Sequence, residues 1–194
     1  MSRHFAAIAY TPGVRASQRQ YGGRDLGEGL DEVTETPPAE LSPREREFIA
    51  ARDSFYLSTV NENGWPHVQH RGGPSGFLQV LCPSTLAFAD VSGNRQYVSV
   101  GNLSGNDRAA LILMDYPNRR RLKILGRVEI LDLAAVNPKL LEKMKFSERN
   151  IERIMLIQVA AFDWNCSRHI TPRFTESEWQ SHSSPLTATS ITKE

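Results

Sequence analysis

Ser54-Phe-Tyr-Leu-Ser-Thr-Val-Asn-Glu-Asn-Gly-Trp-Pro-His-Val-Gln-His-Arg71 sets the fold class. Its first seven residues, aromatic and β-branched side chains among small polar ones, read as a strand. Asn61-Glu-Asn-Gly64 is a four-residue hairpin turn, after which the chain returns as a second strand from Trp65 to Arg71.

The flanking sequence extends this pattern. Upstream, Ser42-Pro-Arg-Glu45 spells a helix start: Ser42 caps, Pro43 suits the first helical position and Glu45 completes a capping box. Phe48 and Ile49 give that helix a buried side, and it should end near Arg52. Downstream, Phe77 to Leu81 and Thr85 to Asp90 form a hairpin across Cys82-Pro-Ser84. Ala109 to Tyr116 is apolar without alternation, as expected of a strand covered on both faces. Pro117-Asn118 turns it into Arg121 to Leu131, where Lys123, Leu125, Arg127 and Glu129 share one face and Leu122, Ile124, Val128 and Ile130 the other. A short helix around Pro138 to Met144 precedes a final strand, Ile154 to Phe162. Hairpin-length connections and few helices indicate a mostly antiparallel β-barrel or sandwich with flanking helices, not a parallel βαβ fold. A barrel hides its strand edges and is preferred on that ground.

Residues 1–40 carry Gly13, Gly22, Gly23, Gly27, Gly29 and Pro37-Pro38 among many charges, and read as an arm with one short helix, Val14 to Tyr21. Residues 41–174 form the domain, and the Ser/Thr-rich residues 175–194 read as a flexible tail. The 194-residue chain has a net charge of +1, so its overall charge points to neither a nucleic-acid nor an anionic-membrane partner. No run approaches the roughly 18 apolar residues of a membrane span, and the first residues do not form a secretory signal, so a cytoplasmic location is expected. Cys82 and Cys166 fit free thiols.

Rossmann, P-loop, nucleophile-elbow and His-Glu-x-x-His motifs are all missing from the sequence. His67 and His70, at odd spacing on a strand, fall on opposite faces and do not make a metal pair; no metal is expected. The chemistry gathers instead around Phe88-Ala-Asp-Val-Ser-Gly-Asn-Arg-Gln-Tyr-Val-Ser-Val-Gly-Asn-Leu103. A strand ends there in a turn that releases Arg95, Gln96, Ser99 and Asn102, donors suited to a phosphate. Gln69 and Arg71 share a strand face just before Gly72-Gly73, where a flat ligand could approach the backbone. Lys123 and the run Arg119-Arg-Arg121 add positive charge, although a run at a hairpin tip is equally a solvated turn.

Asp53-Ser-Phe-Tyr-Leu-Ser-Thr, Gly64-Trp-Pro-His-Val-Gln-His-Arg-Gly-Gly, Phe88-Ala-Asp, Gly93-Asn-Arg-Gln-Tyr, Asn106-Asp-Arg-Ala-Ala-Leu and Leu122-Lys-Ile-Leu-Gly-Arg resemble the pyridoxamine 5′-phosphate oxidase-related FMN-binding proteins over about residues 45–174. The segment Asp163 to Arg173 resembles the C-terminal signature of a flavin-nucleotide-binding branch. The resemblance implies a six-stranded, Greek-key-like antiparallel split β-barrel and a homodimer with FMN in clefts between the subunits. By position it places Gln69, His70 and Arg71 along the isoalloxazine or ribityl chain, and Asp90 at the strand end beside it. Asn94, Arg95, Gln96 and Ser99 come to the phosphate, with Asn102, Arg121, Lys123, Trp164 and Arg173 as further cofactor contacts. Two motifs depart from the oxidase itself. His67-Val-Gln-His-Arg-Gly72 stands where its second strand has Arg-x-x-x-Leu-Lys, and Arg95-Gln96 or Val98-Ser99 replaces its Arg-Lys pair. The expectation is therefore an FMN-dependent oxidoreductase acting on a small organic substrate, with a non-catalytic flavin-binding or storage protein as the alternative. Vitamin B6 oxidation and a haem-utilising role rank below both.

Overall fold

In the computed structural model, which describes residues 3–23, 38–144 and 150–183, two short helices come first: α1 (Arg3–Ala9) and α2 (Pro12–Gln20). There follow α3 (Pro43–Ala50), β1 (Ser54–Val60), β2 (Pro66–Gly72), β3 (Gln79–Cys82), β4 (Thr85–Val91), α4 (Val98–Gly105), β5 (Arg108–Asp115), β6 (Arg120–Asp132), α5 (Pro138–Lys143), β7 (Ile151–Trp164) and α6 (Glu176–Ser183). Among the described residues no helix is long and apolar enough to cross a membrane.

The seven strands form one antiparallel sheet in the order β2-β1-β5-β6-β7-β4-β3. The expected six-stranded split barrel is met in part: the sheet is antiparallel, but the short β3 counts as a seventh strand and the edge strands β2 and β3 do not pair, so the sheet is not closed. Register shifts at Val80/Cys82, Asp90/Val91 and Leu125/Gly126 add local bends. The sheet curls around a core that includes Phe55, Leu57, Leu86, Phe88, Leu111, Leu113, Leu122, Ile124, Met155 and Ile157, with Phe48 and Ile49 of α3 and Leu103 of α4 packed into it.

β5 differs from its sequence reading. Ala109, Leu111, Leu113 and Asp115 are buried, but Ala110, Ile112 and Met114 on the other face are only half-covered. Beside them an apolar cavity of about 560 Å³ is lined in part by Ser58, Val60, Ala110, Leu125 and Ala160 and reached by Ile8 of α1. An apolar run thus signals low polarity on both faces without saying that both are covered.

The capping expectation at Ser42 holds. Glu45 accepts the Ser42 backbone N–H at 3.0 Å and the Ser42 hydroxyl, and it also accepts Trp164 Nε1–H at 2.6 Å, which ties α3 to the end of β7. Burial opposes the charge of Glu45, but the donors Ser42 and Trp164 outweigh it and hold its pKa below the usual carboxylate value. A depressed folded-state pKa contributes stability that is complete above the unfolded value of about 4.3 and is lost as pH falls through the lower folded value. Glu45→Gln is therefore expected to cost about 1.5–3 kcal/mol at neutral pH. The gap between the two melting curves should close progressively below about pH 4.3. A gap independent of pH from neutrality to strong acid would remove the charge from this role.

Both termini carry more structure than composition suggested. α1 buries Phe5 and Ala6, whereas α2, the helix expected in the arm, buries nothing. Ala39 donates its N–H to Val159 O at 3.1 Å and joins the core. At the other end, Thr175 N–H donates to Glu178 Oε2 at 2.8 Å, Glu178 N–H donates to Thr175 Oγ1 at 3.3 Å, and Phe174 meets Trp179 at 5.8 Å. This capping box with its hydrophobic staple starts α6 inside the expected flexible tail. The arm's Gly27, Gly29 and Pro37 and the tail residues 184–194 lie outside the described residues.

Candidate functional site

Alternation along β2 turns His67, Gln69 and Arg71 toward the interior of the curled sheet and His70 away from it. Gln69 Oε1 lies 3.4 Å from His67 Nε2. Arg71 crosses the open gap between β2 and β4: its Nη1 donates to Asp90 Oδ1 at 2.6 Å, and its guanidinium lies 5.8 Å from the Phe88 ring centroid. Asp90, only 5% exposed, accepts on its other oxygen from Arg153 Nη1 at 2.7 Å. The seam that backbone hydrogen bonds leave open is thus bridged by an Arg71–Asp90–Arg153 ion triad.

Arg153 extends the network into the loop that leads to α4. Its Nη2 donates to Glu152 Oε2 at 2.7 Å, and its guanidinium lies 5.0 Å from the Tyr97 ring centroid. Glu152 also accepts the Tyr97 hydroxyl at 3.2 Å, and the Ser92 side chain is near enough to lower its pKa. Burial opposes the charge on Glu152, yet these donors and Arg153 lower its pKa; the Arg153 pKa is raised against its own burial by Asp90, then Glu152. The Glu152 carboxylate thereby tethers the C-terminal end of the 92–97 loop.

Within that loop Asn94 Oδ1 accepts the Gln96 backbone N–H at 3.2 Å. Arg95 (φ 59°) and Tyr97 (φ 49°) both take the left-handed conformation, which costs a non-glycine residue about 1–2 kcal/mol. Tyr97 is the N-cap of α4 and supplies no side-chain cap, so the first-turn N–H groups receive no help from it. Ser99, in that first turn, is 1% exposed and its Oγ has no hydrogen-bond partner among the described residues. An uncapped helix start, an exposed arginine and an unmet hydroxyl suit an anion such as a phosphate. Asn102, by contrast, is spent inside the fold, where its Nδ2 donates to Thr59 Oγ1 at 2.9 Å.

The chain matches the pyridoxamine 5′-phosphate oxidase family over residues 41–164, which spans the whole sheet and α3 to α5. It belongs to that family. A structure of a candidate pyridoxamine 5′-phosphate oxidase from Lactobacillus delbrueckii is 21% identical, with 64% of this chain and 93% of that one covered at a TM-score of 0.50. A protein related to general stress protein 26, from Clostridium acetobutylicum, is 16% identical over 70% of this chain and 94% of its own (TM-score 0.48). An F420 reductase is 22% identical over 63% and 98% (TM-score 0.41). No curated protein sequence matches the chain.

The remaining residues that the family resemblance singled out lie away from the seam. Arg121 and Lys123 project from the opposite face of the sheet, the face of β6 that does not carry Leu122 and Ile124. Lys123 Nζ stands 3.9 Å from Asp163 Oδ2 and 4.4 Å from the Phe5 ring centroid of α1, and Arg121 Nε is buried with no hydrogen-bond partner among the described residues. His70, on this side too, meets Tyr56 edge-on at 5.5 Å. Burial, then the neighbouring Tyr56, raises the Tyr116 pKa, and Arg173 lies 5.2 Å from the Tyr116 ring centroid. Trp164 belongs to neither group: besides its bond to Glu45 it is flanked by Arg44 at 4.5 Å and Arg120 at 5.0 Å.

The structure therefore brings Gln69, Arg71, Asp90 and the 94–99 loop to one seam, and His70, Arg121, Lys123 and Arg173 to the other face. Arg153, Glu152 and Tyr97 are additions that sequence reasoning missed. The available signal was Glu152-Arg153 directly before Ile154, a charged pair at the mouth of an apolar strand.

Proposed function

We propose that this protein is an FMN-dependent oxidoreductase acting on a small organic substrate, working as a homodimer with the cofactor in a cleft between the subunits. The observation that carries the reading is the uncapped, anion-suited start of α4 beside the seam, in a chain of the pyridoxamine 5′-phosphate oxidase family. FMN, when bound, supplies the hydride or electron transfer, and the protein supplies orientation and electrostatics. Arg95 and the first turn of α4 would receive the phosphate, and Gln69 and Arg71 the flat or ribityl part. The division of the candidate residues between two separate faces supports a cleft built by two subunits, as does the half-covered apolar face of β5.

A flavin-binding protein without turnover is the second reading. It is favoured by the pairing at the seam, where the carboxylates of Asp90 and Glu152 are each already committed to arginine.

Denaturing the purified protein and identifying the released chromophore tests the first step; FMN is expected. A colourless protein that cannot be reconstituted with FMN would defeat both readings. Turnover with a nicotinamide or deazaflavin donor supports the enzyme, and FMN that no donor reduces supports the binder. A cation beside the flavin stabilises its anionic reduced form, so Arg71→Ala or Lys123→Ala should lower the midpoint potential of bound FMN. An unchanged potential removes that residue from the cofactor's surroundings.

A further inference from the structure

The start of α4 is tethered at Tyr97 by two residues of the β7 entry, Glu152 and Arg153. Glu152 holds the C-terminal end of the 92–97 loop by accepting from the Tyr97 hydroxyl at 3.2 Å. Arg153 orients that carboxylate with Nη2 at 2.7 Å, anchors itself to buried Asp90 with Nη1 at 2.7 Å, and lies against the Tyr97 ring at 5.0 Å. The tethered Tyr97 is the left-handed residue from which α4 starts, so its conformation sets where the uncapped first-turn N–H groups point. Left to itself a tyrosine leaves the left-handed region, because its Cβ crowds the following carbonyl there. A guanidinium places its donors on separate nitrogens, so Nη1 serves Asp90 and Nη2 serves Glu152, whereas an ammonium carries all three of its N–H groups on one nitrogen.

We propose that Arg153 is a positioning residue for phosphate specificity: by buckling Asp90 to Glu152 and Tyr97, it holds the start of α4 in the geometry that selects a phosphate-bearing ligand over its dephosphorylated counterpart. The proposal rests on the flavin reading above and extends it from cofactor class to the means of discrimination. The ligand class is a phosphate monoester on a flat heteroaromatic body.

The test is fluorescence titration of the full chain with FMN and with riboflavin, in wild type, Arg153→Gln, Arg153→Lys and Tyr97→Phe. Wild type should bind FMN at least about tenfold more tightly than riboflavin, a difference of about 1.4 kcal/mol. Arg153→Gln should erase most of that preference by weakening FMN while leaving riboflavin within about threefold of wild type, Arg153→Lys should restore little of it, and Tyr97→Phe should reduce it in the same direction. Parallel losses for the two flavins, or an unchanged preference, would overturn the proposal and leave Arg153 a structural residue. Should Arg153→Gln not fold, Tyr97→Phe, which removes one exposed hydroxyl, decides the matter alone. If wild type binds neither flavin the functional reading itself fails. The inference then turns on inorganic phosphate: a thermal stabilisation of wild type that Tyr97→Phe abolishes supports it, and no stabilisation of wild type sinks it.

Discussion

Asp90→Ala is expected to lower the stability of the protein by about 3–5 kcal/mol, the range for removing one partner from a buried ion pair. For a chain of this size that corresponds to a melting-temperature drop on the order of 10 °C. Asp90 is the shared acceptor between Arg71 and Arg153, whose side chains are only 18% and 14% exposed. Deleting it leaves two guanidinium groups facing each other with little water to screen them. It also removes a side-chain link from β2 to β4 across the opening between the edge strands β2 and β3. The triple replacement of Arg71 and Arg153 by Met together with Asp90→Ala should recover much of the loss, because no buried guanidinium is then stranded and Glu152, with its side chain 24% exposed, keeps water and the Tyr97 hydroxyl. Urea denaturation of the single and triple variants measures both effects. A single-variant loss below about 1 kcal/mol would mean that water reaches the triad and that it behaves as a surface pair.

Gly126→Ala should be the other strongly damaging change, by about 1–3 kcal/mol or more. A Cβ at residue 126 would sit 2.7 Å from Ile157 Cγ2 and 2.8 Å from the Gln158 carbonyl oxygen. The second contact is backbone, at the register shift between β6 and β7, so the two longest strands would have to part to admit a methyl group. Gly101→Ala in α4 is the control. A Cβ there meets nothing within 4 Å, and alanine is favoured over glycine in a helix by about 0.5–1 kcal/mol. Thermal melts should therefore place Gly101→Ala at or above wild type and Gly126→Ala well below it; equal behaviour of the two would refute the packing argument.

The contrast between these glycines also shows where sequence reading stops. The hairpin from Ser54 to Arg71, the capping box at Ser42 and the alternation of β6 were all legible, because each depends on residues near one another in the chain. The same holds for Gln69 and Arg71 sharing a face, since strand alternation has a period of two. The α6 start could have been read as well: Thr175-x-x-Glu178 with Phe174 and Trp179 is a local signal that the Ser/Thr-rich composition obscured.

What no local rule supplies is the partner of a long-range polar group. Asp90 and Arg153 are 63 residues apart and Trp164 and Glu45 are 119 apart, yet each pair shares a short hydrogen bond. Trp164 shows the effect most clearly. Its place in a C-terminal signature implied a cofactor contact, whereas its Nε1–H is committed to the carboxylate that caps α3. Asn102 likewise came from a stretch suited to phosphate, and the fold turns it inward to Thr59.

The sequence by itself determined that this chain forms hairpin-connected antiparallel strands with a capped helix before them and, through its motifs, the family. Tertiary structure alone decided that the sheet has seven strands and stays open between β2 and β3. It also decided that a triad of charges bridges the seam and that Glu152 and Arg153 hold the loop before α4. The division has a physical reason. Helix caps, turns and strand alternation are set by backbone geometry over a few residues, whereas a buried charge is stable only beside its counter-charge, and register and curvature across the whole sheet determine which residue stands there.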